Sequence, residues 1–445
     1  MTADTIVAVA TPPGVGGVGI VRVSGPLVPQ IGLAILGRSI APRQASFGVF
    51  READGDFIDE GIALLFPAPR SFTGEDVLEL QGHGGPVVMD LLLRRCLELG
   101  ARPARPGEFT ERAYLNGKLD LAQAEAVADL IESSTALAVR LAGRSLQGVF
   151  SRRIETLIEH LIQLRMYIEA TLDFPDEDID DASASAVTED LRQIIEMTRQ
   201  IMAEAHQGQV IREGLAVVIA GPPNAGKSTL LNALSGTDAA IVTPIPGTTR
   251  DLLKLDIQID GLPIRIIDTA GIRHSEDPVE QEGVRRARAQ LVEADLVLWI
   301  DETAEGPDES IRNDLPADCP IIRVRNKIDL LGLTPQCSET DAGTEIALSA
   351  ATGAGLDLLR AHLKTRAGLG ATPEGAFIAR RRHLDALNRG WRHLQAAQHN
   401  LAHGAGAELV ADELFQAQNV FGEITGQFTP DDLLGRIFSS FCIGK

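Results

Sequence analysis

The most constraining feature of the sequence is a phosphate-binding loop at 221–228, which fits the pattern G-x-x-x-x-G-K-[S/T]. The apolar run 215–220 before it predicts a buried strand, and 228–234 after it predicts a helix. In this strand–loop–helix context, backbone N–H groups and the start of the helix can hold phosphate anions. The chain is therefore expected to bind a nucleoside triphosphate, with Lys227 at the terminal phosphates and Ser228 on Mg²⁺.

Two segments after the loop match the parts of a nucleotide site that sense the γ-phosphate. The polar loop 247–251 offers threonine hydroxyls that can complete the Mg²⁺ shell. The predicted strand beginning at Pro263 ends in Asp268 and Gly271, an acid and a glycine that can reach Mg²⁺ and the phosphate.

Two later segments predict that the base is guanine. Asn326 and Asp329 follow another predicted strand, and a carboxylate there can accept from two ring N–H groups that adenine lacks. Ser349 and Ala350 follow a further apolar run and suit the loop behind the guanine carbonyl. With all five elements in order, this part resembles the Ras-like GTPase superfamily. The residues expected to contact GTP are Asn224, Ala225, Gly226, Lys227, Ser228, Thr229, Thr243, Thr248, Thr249, Asp268, Thr269, Ala270, Gly271, Asn326, Lys327, Asp329, Ser349 and Ala350.

One position departs from the Ras-like pattern. Ile272 stands where many GTPases have a glutamine that orients the attacking water, and isoleucine cannot do this. Another group must position the water. The nearby acids leave the choice open, and they are Glu276, Asp277, Glu280 and Glu282.

Length and composition bound the remaining interpretation. A chain of 445 residues predicts two or three domains. Its net charge of −21 opposes non-specific binding to nucleic acid. The four cysteines lack metal-ligand spacing and are typical of a reducing cytoplasm. No apolar stretch is long enough to cross a membrane, and 1–10 lacks the pattern of a signal peptide.

The segments around the GTPase pattern predict a multidomain fold that combines α/β and all-α parts. Strand and turn signals in the first 116 residues indicate a mixed α/β domain, whereas later segments have helical periodicity (119–147, 154–172, 187–205, 376–404, 407–422 and 430–441). The simplest architecture is a helical domain interrupted by an inserted GTPase domain. The expected domain ranges are 1–116, 117–211, 212–368 and 369–445. The acidic run 173–181 is interpreted as a solvated loop rather than a metal site.

The C-terminal segment 441–445 reads FCIGK. Prenylation is disfavoured, because lysine is a poor last residue and no polybasic stretch precedes it. Cys442 can be a reactive or positioning thiol, but on the residues alone a buried, inert thiol is favoured.

Several motifs together resemble the MnmE (TrmE) family of tRNA uridine-modification GTPases over essentially the full length. Besides the inserted GTPase and the FCIGK end, these motifs lie at 5–14, 71–76 (SFTGED), 80–86 (LQGHGGP), 105–113 (RPGEFTERA) and 116–120 (NGKLD). The resemblance implies addition of a carboxymethylaminomethyl-type group to C5 of the wobble uridine of certain tRNAs. It also implies a homodimer, and a heterotetramer with the flavoprotein MnmG (GidA), which uses FAD and NADH.

The resemblance further implies an N-terminal folate-binding domain that dimerises the protein and takes formyl-tetrahydrofolate as the one-carbon donor. The positions that match the family's folate contacts are Arg22, Glu79, Lys118 and Lys445. Cys442 matches the family's C-terminal cysteine, which is presumed to act near the one-carbon chemistry.

In the family, GTPase domains pair across the dimer and K⁺ replaces an arginine finger. The positions that match the K⁺ ligands are Asn224, Thr243, Ile245 and Thr248, and those that match the Mg²⁺ ligands are Ser228 and Thr249. Glu280 matches the water-positioning glutamate, while Arg250 and Asp251 match residues that brace the switch. Pro244 and Pro246 flank Ile245 and stiffen this loop.

A K⁺-activated GTPase switch in ribosome assembly is the alternative function. Such GTPases usually append a basic RNA-binding domain, which the sequence does not predict here. Folate binding belongs only to the modification hypothesis and separates the two.

Overall fold

The structure is a computed structural model that describes residues 4–173, 181–235, 254–259, 261–268, 294–302, 319–340, 343–367, 376–427 and 431–444. The chain forms two compact units. Unit 1 comprises Met1–Ile131, Ser145–Thr198 and Ala386–Lys445, and unit 2 comprises Glu132–Arg144 and Arg199–Asp385. The four domain ranges expected from the sequence stay a prediction.

Unit 1 begins with a six-stranded sheet in the order β3-β4-β5-β2-β1-β6. The elements of this part are β1 (Ile6–Val9), β2 (Gly16–Ser24), α1 (Val28–Leu36), β3 (Ser46–Arg51), β4 (Phe57–Phe66), β5 (Val77–Gly84), α2 (Pro86–Glu98), β6 (Arg102–Pro103) and α3 (Glu108–Leu115). Alternation along β2 and β5 buries Val21, Val23, Leu78 and Leu80 in one core with residues of α1 and α2. Residues between them, such as Arg22, therefore lie on the opposite face of the sheet.

Four long helical segments follow: α4 (Leu121–Glu132), α5 (Ala136–Leu146), α6 (Val149–Asp173) and α7 (Asp181–Glu213). Helical periodicity at 119–147 is predicted as one continuous segment, and this prediction is wrong because the segment forms two helices, α4 and α5. The Oγ1 atom of Thr135 accepts from the Ala138 N–H at 3.1 Å, so a capping threonine starts α5.

Unit 2 contains a seven-stranded sheet in the order β12-β13-β11-β10-β7-β9-β8. Its elements are β7 (Leu215–Ala220), α8 (Lys227–Ser235), β8 (Lys254–Ile259), β9 (Leu262–Asp268), β10 (Leu296–Asp301), β11 (Ile321–Arg325), α9 (Ile328–Leu331), β12 (Gln336–Thr340), β13 (Gly343–Ala347) and α10 (Leu356–Arg366). The five inner strands are parallel, and the edge strands β8 and β12 are antiparallel. Every residue of β7 and β10 is buried, as expected for central strands of a covered parallel sheet.

The last helices are α11 (Arg381–Ala402), α12 (Ala407–Thr425) and α13 (Asp431–Ser439). In unit 1, α12 packs against α6, and Arg165 Nη1 donates to Gln418 Oε1 at 2.7 Å. Helices on both sides of the GTPase pattern therefore pack together, as the sequence predicts. Within the described ranges, no helix has the length and apolar character needed to cross a membrane.

Candidate functional site

The phosphate loop lies at the carboxyl end of β7, in the middle of the parallel sheet. A Cβ atom on Gly221 would lie 2.0 Å from the Ile300 carbonyl oxygen, and one on Gly226 would lie 2.3 Å from Asn326 Nδ2. Both glycines have positive φ, of 145° and 94°. The loop therefore approaches its neighbours so closely that only glycine fits at these two positions.

The residues expected to contact phosphate lie where α8 begins. Lys227 Nζ donates to the carbonyl oxygens of Gly221 and Pro222, each at 2.8 Å. Ser228 and Thr229 are exposed in the first turn, and Asn224 is exposed with a φ of 64°. Because the first N–H groups of a helix lack intrahelical acceptors, this end offers donors and hydroxyls to an anion with its metal.

Asn326 joins three of the predicted segments. Its Nδ2 donates to the Ala225 carbonyl at 2.8 Å, and its Oδ1 accepts from the Ala350 N–H at 2.9 Å. Its own backbone N–H donates to the Asp301 carbonyl at 2.9 Å, and the residue is 2% exposed. Both polar atoms of this side chain thus bond to the protein, and Asn326 holds the phosphate loop and the 349–350 loop together.

The remaining guanine-site residues lie beside Asn326. Asp329 is exposed in the first turn of α9, whereas Ser349 is fully buried two residues after β13. Lys327 has a φ of 61°, and its Nζ forms an ion pair with Glu302. Glu302 was not predicted from the sequence, because its partner comes from a different strand and no spacing rule connects them.

Asp301 is a second residue that the sequence analysis missed. It ends β10, is 6% exposed and accepts from Trp299 Nε1 at 3.2 Å. Burial raises the pKa of this carboxyl to about 6, against the hydrogen bond from Trp299, which lowers it. An acid at the end of an apolar strand is the signal that could have found it.

Several predicted site residues lie outside the described residues, and their roles stay predictions. These are Thr243, Ile245, Thr248, Thr249, Arg250, Asp251, Thr269, Ala270, Gly271, Glu280 and Lys445. The other candidate acids (Glu276, Asp277 and Glu282), Ile272, Pro244, Pro246 and the acidic run 174–180 also fall there. The backbone of Asp268 ends β9 beside Ile219 of β7.

A second cluster lies in unit 1, on the face of the sheet opposite the core formed with α1 and α2. Arg22 and Glu79 are cross-strand neighbours, and Arg22 Nε and Nη2 donate to Glu79 Oε1 at 3.0 and 2.9 Å. The two side chains are 21% and 16% exposed, so the ion pair is largely desolvated. The sequence analysis selects Arg22 and Glu79 separately and does not predict that they pair. The register of β2 and β5 places them opposite each other.

The C-terminal segment docks against this cluster. Arg22 Nη1 donates to the Gly444 carbonyl at 3.2 Å, and the Gly107 N–H donates to the Cys442 carbonyl at 3.3 Å. Gly444 has a φ of 98°, and a Cβ there would lie 2.5 Å from the Val9 carbonyl oxygen.

The prediction of a buried Cys442 is wrong, because its thiol is exposed. Phe441 is 6% exposed and Gly444 is buried, so these two residues anchor the segment, and the exposed Cys442 and Ile443 lie between them. Cys442 is therefore exposed within a segment whose Gly444 carbonyl reaches Arg22.

Lys118 lies on a neighbouring loop. It is exposed, and its Nζ donates to the Pro69 carbonyl at 3.1 Å. Its described contacts are to Pro69 and, through Gly74, to the SFTGED segment, rather than to Arg22 or Glu79. The structure pairs Arg22 with Glu79 and brings the Gly444 carbonyl to Arg22, whereas the described contacts of Cys442 and Lys118 are to Gly107 and Pro69.

An ionic network around the buried Glu108 was also missed. Arg102 and Arg112 both donate to Glu108 and to Asp4. Burial raises the pKa of Glu108, but the hydrogen bonds from Arg102, the Arg105 N–H and Arg112 outweigh it and lower that pKa to about 2. Over the described parts of the chain, no group of three or more His, Cys, Asp or Glu side chains is arranged to hold a metal ion.

Comparison with known proteins matches the chain from end to end. A family model described as the GTP-binding protein TrmE N-terminus matches residues 5–118, and one described as the MnmE helical domain matches residues 121–442. Relatives called tRNA modification GTPase MnmE occur in Hydrogenovibrio crunogenus and Methylococcus capsulatus. They are 55% and 57% identical, over 100% and 99% of this chain and 99% of each relative.

A solved structure of an Era variant from Aquifex aeolicus, bound to GDP and AlF4⁻, is 30% identical over 41% of this chain and 67% of that chain. Its TM-score of 0.27 is too low to support a conclusion about shape. The two family models and the full-length relatives show that this chain belongs to the MnmE family of tRNA modification GTPases.

Proposed function

We propose that this tRNA modification GTPase helps to add a carboxymethylaminomethyl-type group to C5 of the wobble uridine of certain tRNAs. The observation that carries the proposal is the full-length match to relatives called tRNA modification GTPase MnmE. In this proposal the chain forms a homodimer and works in a heterotetramer with the flavoprotein MnmG, which brings FAD and NADH.

The nucleotide chemistry is assigned to the loop at the end of β7. Lys227 and the first turn of α8 bind the phosphates, and Asp329 reads the guanine edge. Ser228 and Thr249 hold Mg²⁺, and Glu280 positions the attacking water. The assignments to α8 and Asp329 have geometric support. Ser228 and Asp329 are exposed, and the phosphate loop has the close backbone approaches at Gly221 and Gly226.

We assign a K⁺ site to Asn224, Thr243, Ile245 and Thr248. A bound K⁺ supplies positive charge next to the phosphoryl group, where negative charge develops. Asn224 suits a ligand role because it is exposed in the phosphate loop and its backbone is in a left-handed conformation. Arg250 and Asp251 brace the loop that carries the other ligands.

The one-carbon chemistry is assigned to the Arg22–Glu79 cluster of unit 1. Arg22 and Glu79, with Lys118 and Lys445, hold formyl-tetrahydrofolate, and Cys442 acts near its one-carbon group. The largely desolvated ion pair, the part-exposed Phe72 ring 6.0 Å from the Arg22 guanidinium, and an exposed cysteine in the docked C-terminal segment fit a flat polar ligand.

The direct test is a reconstituted modification reaction with the flavoprotein partner, tRNA, GTP, NADH and formyl-tetrahydrofolate, read out by mass spectrometry of the wobble nucleoside. Modified uridine should require every component. Arg22→Ala should abolish modification while GTP hydrolysis persists, because the two sites lie in different units. Modification that proceeds unchanged without the folate, or with Arg22→Ala, would contradict the assignment.

A further inference from the structure

The SFTGED segment at 71–76 places one aromatic side chain at the Arg22–Glu79 cluster. The Phe72 ring centroid is 6.0 Å from Arg22 Cζ, and the side chain is 39% exposed. Arg22 has a second ring near it, that of Phe109, at 5.8 Å, but Phe109 is fully buried. Of these two rings, Phe72 is therefore the one that can meet a ligand.

The backbone around Phe72 is held on both sides. The next residue, Thr73, is fully buried, and its Oγ1 lies 2.8 Å from Ser24 Oγ. Asn116 Nδ2 donates to the Thr73 carbonyl at 2.7 Å, and the Ala68 N–H donates to Asp76 Oδ1 at 2.8 Å. The backbone of the segment is thus fixed to β2 and to the chain after α3, which places Phe72 beside Arg22.

Glu75 and Arg112 are the charged core of this attachment. Arg112 Nη1 donates to both carboxylate oxygens of Glu75, at 3.2 and 3.0 Å, and Ser24 Oγ donates to Glu75 Oε2 at 2.8 Å. The Arg112 side chain is 10% exposed and also bonds Asp4 and Glu108. Breaking a buried, hydrogen-bonded pair by removing one partner is costly, so the pair specifies one geometry of the segment.

Holding a phenyl ring part-exposed beside a guanidinium forgoes some of the free energy of burying it. The same arrangement suits a flat aromatic ligand, because such a ring can stack on Phe72 while its polar edge meets Arg22. We propose that Phe72 is a ligand-contacting residue that stacks on a flat ring of the one-carbon donor, and that Glu75 and Arg112 are positioning residues that hold it there. This inference rests on the proposed folate function of the same site.

The test is calorimetric titration of the full-length protein with 5-formyltetrahydrofolate. Phe72→Leu, which keeps an apolar side chain but removes the ring, should weaken binding roughly three- to ten-fold, the range given by one aromatic pair. Phe72→Tyr should restore wild-type affinity. The matched control is Phe57→Leu, because Phe57 is 63% exposed on β4 of the same sheet, and binding should be unchanged.

The positioning role is tested with Glu75→Gln, which keeps the shape but removes the charge that binds Arg112. It should weaken binding about as much as Phe72→Leu, and the double variant should be little weaker than either single one, because both changes act on the same contact. Arg112→Lys, which keeps a charge but loses the two-fold hydrogen bonding, is the second variant if Glu75→Gln does not fold.

Arg22→Ala separates failure of this inference from failure of the folate assignment. If the wild type binds the probe and Arg22→Ala weakens binding, but Phe72→Leu binds like wild type, Phe72 is not a ligand contact. If the losses of affinity in Phe72→Leu and Glu75→Gln add up in the double variant, Glu75 does not act by positioning Phe72. If the wild type does not bind the probe, the folate assignment and this inference both fall.

Discussion

Asn326 connects the phosphate loop to the 349–350 loop through one donor and one acceptor on a single amide. The sequence places it beside these loops, because the carboxyl ends of parallel strands meet at one edge of a sheet. It does not show that both amide atoms are used within the protein, since that depends on distances between three separate loops.

Asn326→Ala would leave the Ala225 carbonyl and the Ala350 N–H without their buried partners. We expect the free energy of unfolding to fall by about 2–3 kcal/mol and GDP affinity to fall with it. Denaturant unfolding and nucleotide titration measure both quantities. Asn388→Ala, on an exposed helical position, is the control, and an equal effect there would remove the special role of Asn326.

Asp301 makes the stability of unit 2 depend on pH. Its pKa is about 6 in the folded protein, chiefly because of burial, against a reference value of 3.8. Between these values the folded state binds more protons than the unfolded state, so this residue lowers stability as pH rises from about 4 to about 6.

Asp301→Asn should therefore raise the free energy of unfolding at about pH 7 by roughly 1–2 kcal/mol, and the gain should vanish near pH 4. The amide oxygen still accepts from Trp299. Denaturant unfolding across this pH range checks it, with Asp357→Asn as the exposed control. A gain that does not depend on pH would contradict the assigned cause.

At the scale of elements, α7 lies very close to the chain segment before α11. A Cβ on Gly208, inside α7, would lie 2.0 Å from the Phe377 carbonyl oxygen. A glycine in a helix normally costs stability relative to alanine, but here the close approach requires it.

Gly208→Ala should lower the free energy of unfolding by about 1–3 kcal/mol, because the backbone at Phe377 must move. Gly143→Ala, inside α5 with no atom within 4 Å of the added Cβ, is the matched control and should be neutral or stabilising by up to about 1 kcal/mol. Thermal unfolding compares the two. Equal effects would show that helix propensity alone decides both.

The predicted helices and strands are confirmed where the apolar signal is strong. Examples are the continuous apolar run of β7 and the helical periodicity of α6. The break between α4 and α5 was not predicted, because alanine-rich periodicity continues across it and the local signal is a single capping side chain, Thr135, that starts α5. The exposed Cys442 was missed for a different reason. Its environment is set by docking onto β1 and Gly107, which lie more than 300 residues earlier in the chain.

For the whole molecule, the net charge of −21 bears on how tRNA is bound. We expect this chain alone to bind tRNA weakly, with a shallow dependence of affinity on salt, because few phosphates can be neutralised. Filter binding over a salt series measures both the affinity and its dependence on salt, and adding the proposed flavoprotein partner should increase both. Tight binding with a steep slope by this chain alone would contradict the prediction.

The central claim is that the nucleotide site hydrolyses GTP with a K⁺ ion held by Asn224 and a water positioned by Glu280. Its most direct test is GTP turnover by the purified protein in K⁺ and in Na⁺ at equal ionic strength. Asn224→Ala and Glu280→Ala are measured beside it, with Glu276→Ala as the control acid. We predict fast turnover only in K⁺, lost in the first two variants and kept in the third. Equal rates in both salts, or an unaffected Glu280→Ala, would contradict the account.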